Sequence, residues 1–326
     1  MRILLIGASG LLGHNVIQQL LHDHHEVVAV VRNKANMQIQ ESNLHLIEDN
    51  LTLEVLVKAA NQCDGIINCA GTTNMALLHL ENYMPINRDL CRLLITAMEK
   101  NHIHRLVHVS TANTIGYGSL STPTDEQSPI KEPFSSSWYA LSKQEGEEII
   151  KQAANAHPDW HMIIVNPGFM IGAYDTKPSS GTLLLAGYRK RIMLTPKGGK
   201  SFISVTDAAR AVVNALTMGV HGDRYLLTNQ SMTLKEFYHL QSCTMNYQQH
   251  IIEIPNWLVK SIGKVGDLLR SLHIKTQVAT RNTNQLLITE YYTNQKAREE
   301  LKMPQTPIEQ AILDFHTWHT NKNVYQ

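Results

Sequence analysis

Several features that mark large protein classes are scarce in this chain of 326 residues. It has four cysteines, Cys63, Cys69, Cys91 and Cys243. They show no metal-ligand spacing, which excludes a disulfide scaffold or a zinc ribbon. They read as reduced residues of a cytoplasmic protein, mostly small hydrophobes in core positions. The 17 histidines are scattered, with no His-Glu-x-x-His, and no metal site is expected. No apolar run approaches the length of a membrane span. The first strand pattern begins at residue 2, so no signal peptide is expected. Charge of either sign is not in excess, with 29 Lys and Arg against 28 Asp and Glu. That balance offers no broad attraction for nucleic acid or an anionic membrane. Apolar content is ample at 43%, enough for a sizeable core in one large or two unequal domains.

The most informative stretch is the start. Met1-Arg-Ile-Leu-Leu-Ile is a strand pattern that runs directly into Gly7-Ala-Ser-Gly10-Leu-Leu-Gly13 and a helix-compatible segment. A strand–turn–helix unit of this kind presents backbone N–H groups and a positive helix end to a pyrophosphate. A bare tight turn would leave three propensity-lowering glycines unexplained. Gly7, Ser9, Gly10, Leu11, Leu12 and Gly13 therefore open the candidate cofactor-binding set.

Strand and helix patterns alternate from there. Strands are expected at Arg2–Ile6, Glu26–Val31, Leu44–Glu48, Gly65–Cys69, Arg105–Ser110 and His161–Val165. Helices are expected at Leu12–Leu21, Leu53–Ala60, Tyr83–Glu99 and Tyr139–Ala154. Near-continuous apolar strands separated by helices predict an α/β protein with a Rossmann-type doubly wound parallel sheet covered on both faces. The second half is less regular. Helices are expected at Gly181–Arg189, Thr233–Thr244, Pro255–Ser271 and Pro307–Thr317, and a short strand and helix at Phe202–Thr217. The expected division is a dinucleotide-binding core over residues 1–167, rejoined by 202–230. A smaller, mixed substrate-binding lobe takes 168–201 and 231–326, over the carboxyl ends of the strands. The Pro255–Ser271 segment is amphipathic, with Trp257, Leu258, Ile262, Val265, Leu268 and Leu269. Its apolar face is expected to pack as core or lid rather than lie on a membrane surface, and no membrane partner is expected.

Individual residues carry chemistry. Arg32 follows the second strand, where a dinucleotide ribose reaches. An acid there suits the free 2′-hydroxyl of NAD, an arginine the 2′-phosphate of NADP. The plain alternative is a solvated loop arginine. The expectation is NADP(H) in preference to NAD(H). Asp49, followed by Asn50 and Leu51, is placed to accept a hydrogen bond from an adenine amino group, or to cap the next helix. The small residues Cys69, Ala70 and Gly71 let the backbone run close to the cofactor. Asn87 is a candidate for hydrogen bonds to backbone near it. Tyr139 and Lys143 lie on one helical face. An ammonium beside a phenol favours the phenolate, and the tyrosine then moves a proton to or from a carbonyl or alcohol oxygen. Lys143 also reaches the nicotinamide ribose. Ser110 and Thr111 end a central strand, where either hydroxyl polarises a substrate oxygen or caps the strand end.

Gly7–Gly13, Asp49, Asn68–Gly71, Asn87, Val107–Ile115, Tyr139–Lys143, Asn166-Pro167-Gly168, Phe202–Ala209 and Lys296–Leu301 occur in one order. In them the chain resembles the extended short-chain dehydrogenase/reductase family, with nucleotide-sugar epimerases, dihydroflavonol-type reductases and hydroxysteroid dehydrogenase-like proteins among its members. The resemblance implies an enzyme. It implies Tyr139 as catalytic acid/base with Lys143 as partner. It puts Thr111 where dihydroflavonol-type reductases place the catalytic serine, with Ser110 as fallback donor. Threonine keeps the hydroxyl and stiffens χ1. Pro167 and Gly168 border the nicotinamide, and Ser204 stands where a histidine is often found.

The implied reaction is reversible hydride transfer by an NADP(H)-dependent oxidoreductase, reducing a carbonyl of a small molecule to an alcohol. The alternative is an NAD-dependent nucleotide-sugar epimerase or dehydratase. Arg189, Lys190, Arg191, Lys197 and Lys200 would supply charge for its diphosphate, or form a solvated loop. A non-catalytic dinucleotide sensor is the third reading. The resemblance also implies a homodimer through a four-helix bundle of Tyr83–Glu99 and Ser137–Ala154, with an apolar stripe of Leu90, Leu93, Leu94 and Ala97.

Overall fold

Hydrophobic strands alternating with amphipathic helices build the first half of the chain as a wound sheet. The computed structural model describes all residues except 75, 78, 177, 178, 275, 277, 325 and 326. In chain order the elements are β1 (Arg2–Ile6), α1 (Leu11–His22), β2 (Glu26–Val31), β3 (Leu44–Glu48), α2 (Leu53–Ala60), β4 (Gly65–Asn68), α3 (Leu90–Asn101), β5 (Arg105–Val109), α4 (Trp138–Ala156) and β6 (His161–Pro167). Then follow β7 (Phe169–Ile171), α5 (Gly181–Gly187), β8 (Ile192–Thr195), β9 (Gly199–Ser204), α6 (Val205–Asn214), β10 (Arg224–Leu227), β11 (Gln230–Thr233), α7 (Leu234–Thr244), β12 (His250–Glu253), α8 (Asn256–Ser271), α9 (Thr280–Asn284), β13 (Thr289–Glu290), α10 (Gln295–Glu300) and α11 (Ile308–Val324).

Seven strands form one parallel sheet in the order β10-β6-β5-β4-β1-β2-β3. The strand order reverses between β1 and β4, and the crevice at the carboxyl ends of those strands is where such sheets bind ligands. Ile3 to Ile6 have no exposed surface, because helices cover both faces. One face packs Ile3 and Leu5 with α1 and α6. That same core takes in Tyr225, Leu227, Ala297 and Leu301 from late in the chain. The other face packs Leu4 and Ile6 under α2, α3 and α4. The fold is the expected doubly wound sheet with a smaller, mixed sheet after it. There β9 pairs with β7 and β13 in parallel and with β11 antiparallel. A third, separate ribbon joins β8 to β12. Phe202, Phe237 and Phe315 centre the core of this smaller part.

Two elements differ from expectation. The Tyr83–Glu99 helix is broken: a π-helical turn at Pro85–Asp89 precedes α3. Pro85 has no N–H to continue a regular ladder, and π turns cluster at functional sites. Helix α8 forms, but Trp257, Ile262, Val265 and Leu268 face outward while Leu258 and Leu269 are half-buried. Its inward side is Val259, Gly263 and Gly266. A Cβ on Gly263 would lie 2.3 Å from Thr283 Oγ1, and one on Gly266 2.2 Å from the Val278 carbonyl oxygen. Close packing thus selects the glycine side. Among the described residues no helix is long and apolar enough to cross a membrane.

Candidate active site

The turn after β1 is shaped by its glycines. Gly7 has φ +83°, and a Cβ there would lie 2.5 Å from the Ala70 nitrogen. A Cβ on Gly13 would lie 2.2 Å from the Gly7 carbonyl oxygen. Both are needed for the backbone to close. Gly10 differs: a Cβ there meets only the Gly7 carbonyl oxygen within contact range, at 3.4 Å, so open space lies above it. Gly10 is also the N-cap of α1 and supplies no side-chain cap, and the first turn holds no acid. Unbonded N–H groups at the positive end of a helix, beside that space, suit a pyrophosphate. These residues fit a dinucleotide. Ser9 and Leu11 are half-buried and Leu12 is buried in the core, so Leu12 offers the ligand only backbone.

Helix α4 carries Tyr139 and Lys143 one turn apart. The Tyr139 phenol shares a hydrogen bond with the Thr111 hydroxyl at the end of β5, and burial pushes its pKa above the ordinary value while that bond pulls it down. Lys143 is buried, with its Nζ donating to the carbonyl oxygens of Val109 at 2.9 Å and Ala70 at 3.2 Å. Burial pulls its ammonium below the ordinary value. The expected lowering of the phenol by Lys143 is therefore not the geometry found. The strand-end carbonyls hold the ammonium, and burial dominates at the ring. Gly71 makes room for this arrangement, since a Cβ there would lie 3.2 Å from Lys143 Nζ.

Ser110 and Thr111 have different surroundings. Ser110 Oγ donates to Glu147 Oε1 at 2.5 Å, so its proton is committed away from Tyr139. Glu147, 1% exposed, was not among the sequence candidates. Its Oε1 also accepts from Thr114 Oγ1 at 2.6 Å and Asn166 Nδ2 at 2.7 Å. Asn166 Nδ2 in turn reaches the Thr111 carbonyl oxygen at 3.0 Å. Glu147 thereby ties α4 to the ends of β5 and β6 beneath the site. Its spacing on the Tyr139–Lys143 face was the available signal. Asn87, fully buried in the π turn, clamps the Gly71-Thr72 loop. It accepts from the Thr72 N–H at 2.8 Å and donates to the Thr72 carbonyl at 3.1 Å and Ser142 Oγ at 2.9 Å.

The remaining candidates are spread along the crevice. Arg32 is exposed at the end of β2, and Asp49 and Asn50 are exposed at the adjacent end of β3. Asp49 N–H donates to the Val31 carbonyl and Asp49 Oδ1 accepts from the Asn50 N–H, while Leu51 is half-buried. Cys69 and Ala70 continue β4. Burial pushes the Cys69 thiol up to about 12. Pro167 is buried at the end of β6, and a Cβ on Gly168 would lie 2.6 Å from the Ser201 carbonyl oxygen, so packing demands that glycine. Ser204 caps α6, its Oγ accepting from the Thr206 N–H. Arg189, Lys190, Arg191 and Lys197 are exposed, and Lys200 is paired with buried Glu290. Leu90, Leu94 and Ala97 are buried in the chain's own core, and ion pairs Arg88–Asp89 and Arg88–Glu145 cover the outer surface there. Two arginines not anticipated stand by the site. The Arg281 guanidinium lies 4.5 Å from the Trp138 ring centre, and Arg270 donates to the Thr276 carbonyl. Burial and the Arg270 charge pull the Arg281 pKa down.

Comparison with known proteins adds a family to this geometry. Over 311 residues, 92% of this chain and 91% of the other, the chain is 28% identical to the 4-hydroxy-2-methyl-3-oxo-4-farnesyl-3,4-dihydroquinoline-1-oxide ketoreductase of Stigmatella aurantiaca. The gox2253 crystal structure superposes with a TM-score of 0.82 over 98% of each chain at 22% identity. MoeE5, solved with UDP-glucuronic acid and NAD, superposes with a TM-score of 0.77 over 99% of this chain and 100% of that one at 14% identity. The expected NADP(H) preference is corrected by such structures. The bound dinucleotide is NAD in MoeE5, in WbmH of Bordetella bronchiseptica and in a UDP-glucuronic acid 4-epimerase of Bacillus cereus. The local reason is acidic: Glu48 pairs with Val31 across the ladder and its Oε2 accepts from the Lys34 N–H at 3.0 Å, so a carboxylate already stands in the loop that carries Arg32. The model of the NAD dependent epimerase/dehydratase family matches residues 3–227, more than half of the chain: the protein belongs to that family, and is an NAD(P)-dependent enzyme of the oxidoreductase and epimerase type on the extended short-chain dehydrogenase/reductase fold.

Proposed function

We propose that the protein uses NAD to oxidise a secondary alcohol of a nucleotide-linked sugar transiently, as an epimerase or dehydratase. The observation that carries this is the Tyr139–Thr111 hydrogen bond one helical turn from Lys143, whose Nζ donates to the carbonyl of Ala70, the residue packed against the Gly7 turn. The N–H groups at Gly10–Gly13 hold the pyrophosphate, Asp49 the adenine, and Lys143 the nicotinamide ribose. When bound, NAD supplies a hydride acceptor that returns what it takes. Thr111 donates a hydrogen bond to the substrate oxygen. Tyr139 takes the hydroxyl proton as the carbonyl forms and gives it back as the alcohol is restored. Asn87 and Glu147 hold the Gly71 loop and the Thr111 strand end in place for this. Arg270 and Arg281, near Tyr83 at the mouth of the site, supply positive charge for a diphosphate. Residues 1–167 and 202–230 hold the dinucleotide in this reading, and 168–201 with 231–326 the substrate.

A second reading, net reduction of a ketone, is favoured by the full-length likeness to a ketoreductase. One experiment separates the two. The denatured protein's released small molecules are weighed by mass spectrometry, and the emptied protein is titrated with NAD and offered UDP-sugars. Retained NAD, with substrate isomerised or dehydrated and no net NADH formed, is the expected outcome. Stoichiometric NADH consumption on ketones, with no turnover of UDP-sugars, would replace the first reading by the second.

A further inference from the structure

Helix α8 is divided into three sectors at about 100° per residue. Val259, Gly263 and Gly266 face the chain, against 278–283. Lys260, Lys264 and Asp267 fall on the next sector, all exposed. The remaining arc carries Trp257, Ile262, Val265 and Leu268, which are 67%, 44%, 58% and 61% exposed. Such a contiguous row of large apolar side chains in water marks an interaction surface. The β8–β12 ribbon, which leads into α8 after Glu253, has exposed apolar side chains of its own. Ile192 and Leu194 alternate outward on β8, and Ile252 pairs with Leu194 across the ribbon; all three are exposed.

Charge identifies what covers this surface. Arg189, Lys190 and Arg191, exposed, lead into β8, and Lys260 and Lys264 border the apolar arc. These five cations face two acids on the same elements, Glu253 and Asp267, and Asp267 Oδ1 already accepts from the Thr280 N–H at 3.0 Å. The chain as a whole is balanced, so the excess is local. A second copy docking face to face through a two-fold axis would bring two surfaces of the same positive excess together. An amphipathic helix with an aromatic–aliphatic face bordered by lysines suits an anionic lipid surface.

We propose that α8 and the β8–β12 ribbon dock flat on an anionic phospholipid bilayer. The apolar arc enters the headgroup boundary and the lysines and arginines meet lipid phosphates. This is contact with a surface, not a span. It rests on exposure and charge and stands independently of the catalytic reading. Helix α8 then lies between the lipid and the 278–283 segment, which carries Arg281 over Trp138.

The test is flotation of the full chain with vesicles of phosphatidylcholine alone and of phosphatidylcholine with phosphatidylglycerol. Binding to the mixed vesicles is expected to be about tenfold or more the stronger, and to fall about tenfold in Trp257→Ser/Leu268→Ser and in Lys260→Glu/Lys264→Glu. Circular dichroism melts check that the variants fold. Should they not, quenching of tryptophan emission by brominated lipid, present in the wild type and lost in Trp257→Phe, serves instead. Failure to float with mixed vesicles, or wild-type binding by the folded serine variant, overturns the proposal. A concentration-dependent doubling of mass in gel filtration that the serine variant abolishes assigns the face to a second copy and overturns it equally.

Discussion

Tyr139 and Glu147 sit two turns apart on α4 and divide its labour between chemistry and position. Tyr139→Phe removes the proton carrier and leaves the ring's packing. It is expected to lower kcat by about a hundredfold or more, with NAD affinity held within about twofold, read by steady-state kinetics and dinucleotide titration. Undiminished turnover would assign the proton to another group. Glu147→Leu instead leaves the Ser110 hydroxyl buried without its acceptor and the Arg224 guanidinium without its carboxylate, while Thr114 and Asn166 keep the Thr111 carbonyl. An unmet buried donor costs about 1–3 kcal/mol, and with the lost ion pair a loss of about 3 kcal/mol is expected. The measurement is thermal denaturation, with a fall in Tm of roughly 6 °C or more. Stability equal to wild type would mean that water replaces the carboxylate.

The β1–α1 turn and the α7–α11 pair make predictions at the level of elements. Gly10→Ala and Gly13→Ala should part company. At Gly13 a Cβ strikes backbone at 2.2 Å and the turn must shift, so both stability and NAD binding fall. At Gly10 the fold tolerates the methyl at 3.4 Å, and only the space for the pyrophosphate is lost. The expected result is a near wild-type melt with NAD affinity down about tenfold. Equal effects at both positions would remove Gly10 from the cofactor site. On α11, His316 is buried, its ring tilted against Tyr188 at 4.3 Å between centres and bonded to Gln241 Nε2 at 3.1 Å. Burial, then the His319 charge, lowers its pKa to about 4. Its neutral form is the folded one, so its contribution is whole above pH 6.5 and is lost as pH falls from 6.5 toward 4. That loss is at most about 3 kcal/mol. Melts across that window should show Tm falling in the wild type and a shallower slope in His316→Leu; parallel slopes would rule His316 out.

At the scale of the whole molecule, the wound sheet is completed by residues far along the chain. Strand β10 covers β6, α6 packs on α1, and Ala297, Leu301 and Met303 close the same core. A fragment of residues 1–167 would expose Ile3, Leu5 and Val16 to water. It is expected to lack a cooperative melt by circular dichroism, and the full chain to melt in one transition. A sharp transition in the fragment would show that the core is complete without the return segment. In the apolar stripe of α3, Leu90, Leu94 and Ala97 are buried in the chain's own core and Leu93 is half-buried.

The sequence by itself determined the periodic part of this protein. Five-residue apolar strands and the glycine triplet are local patterns, since burial on both faces and a backbone closing on itself restrict residue type at each position. Tyr139 and Lys143 were legible for the same reason, as one-turn neighbours on one helix. The structure alone decided what depends on distant partners. The commitment of Ser110 to Glu147, the clamp of Asn87 on Thr72, and the arrival of Arg270 and Arg281 beside Tyr83 and Trp138 all join segments remote in the chain. The outward turn of Trp257 and Leu268 followed from the same kind of contact. Periodicity shows that a helix has an apolar side, but the close packing of Gly263 and Gly266 against 278–283 settled which side the chain covers.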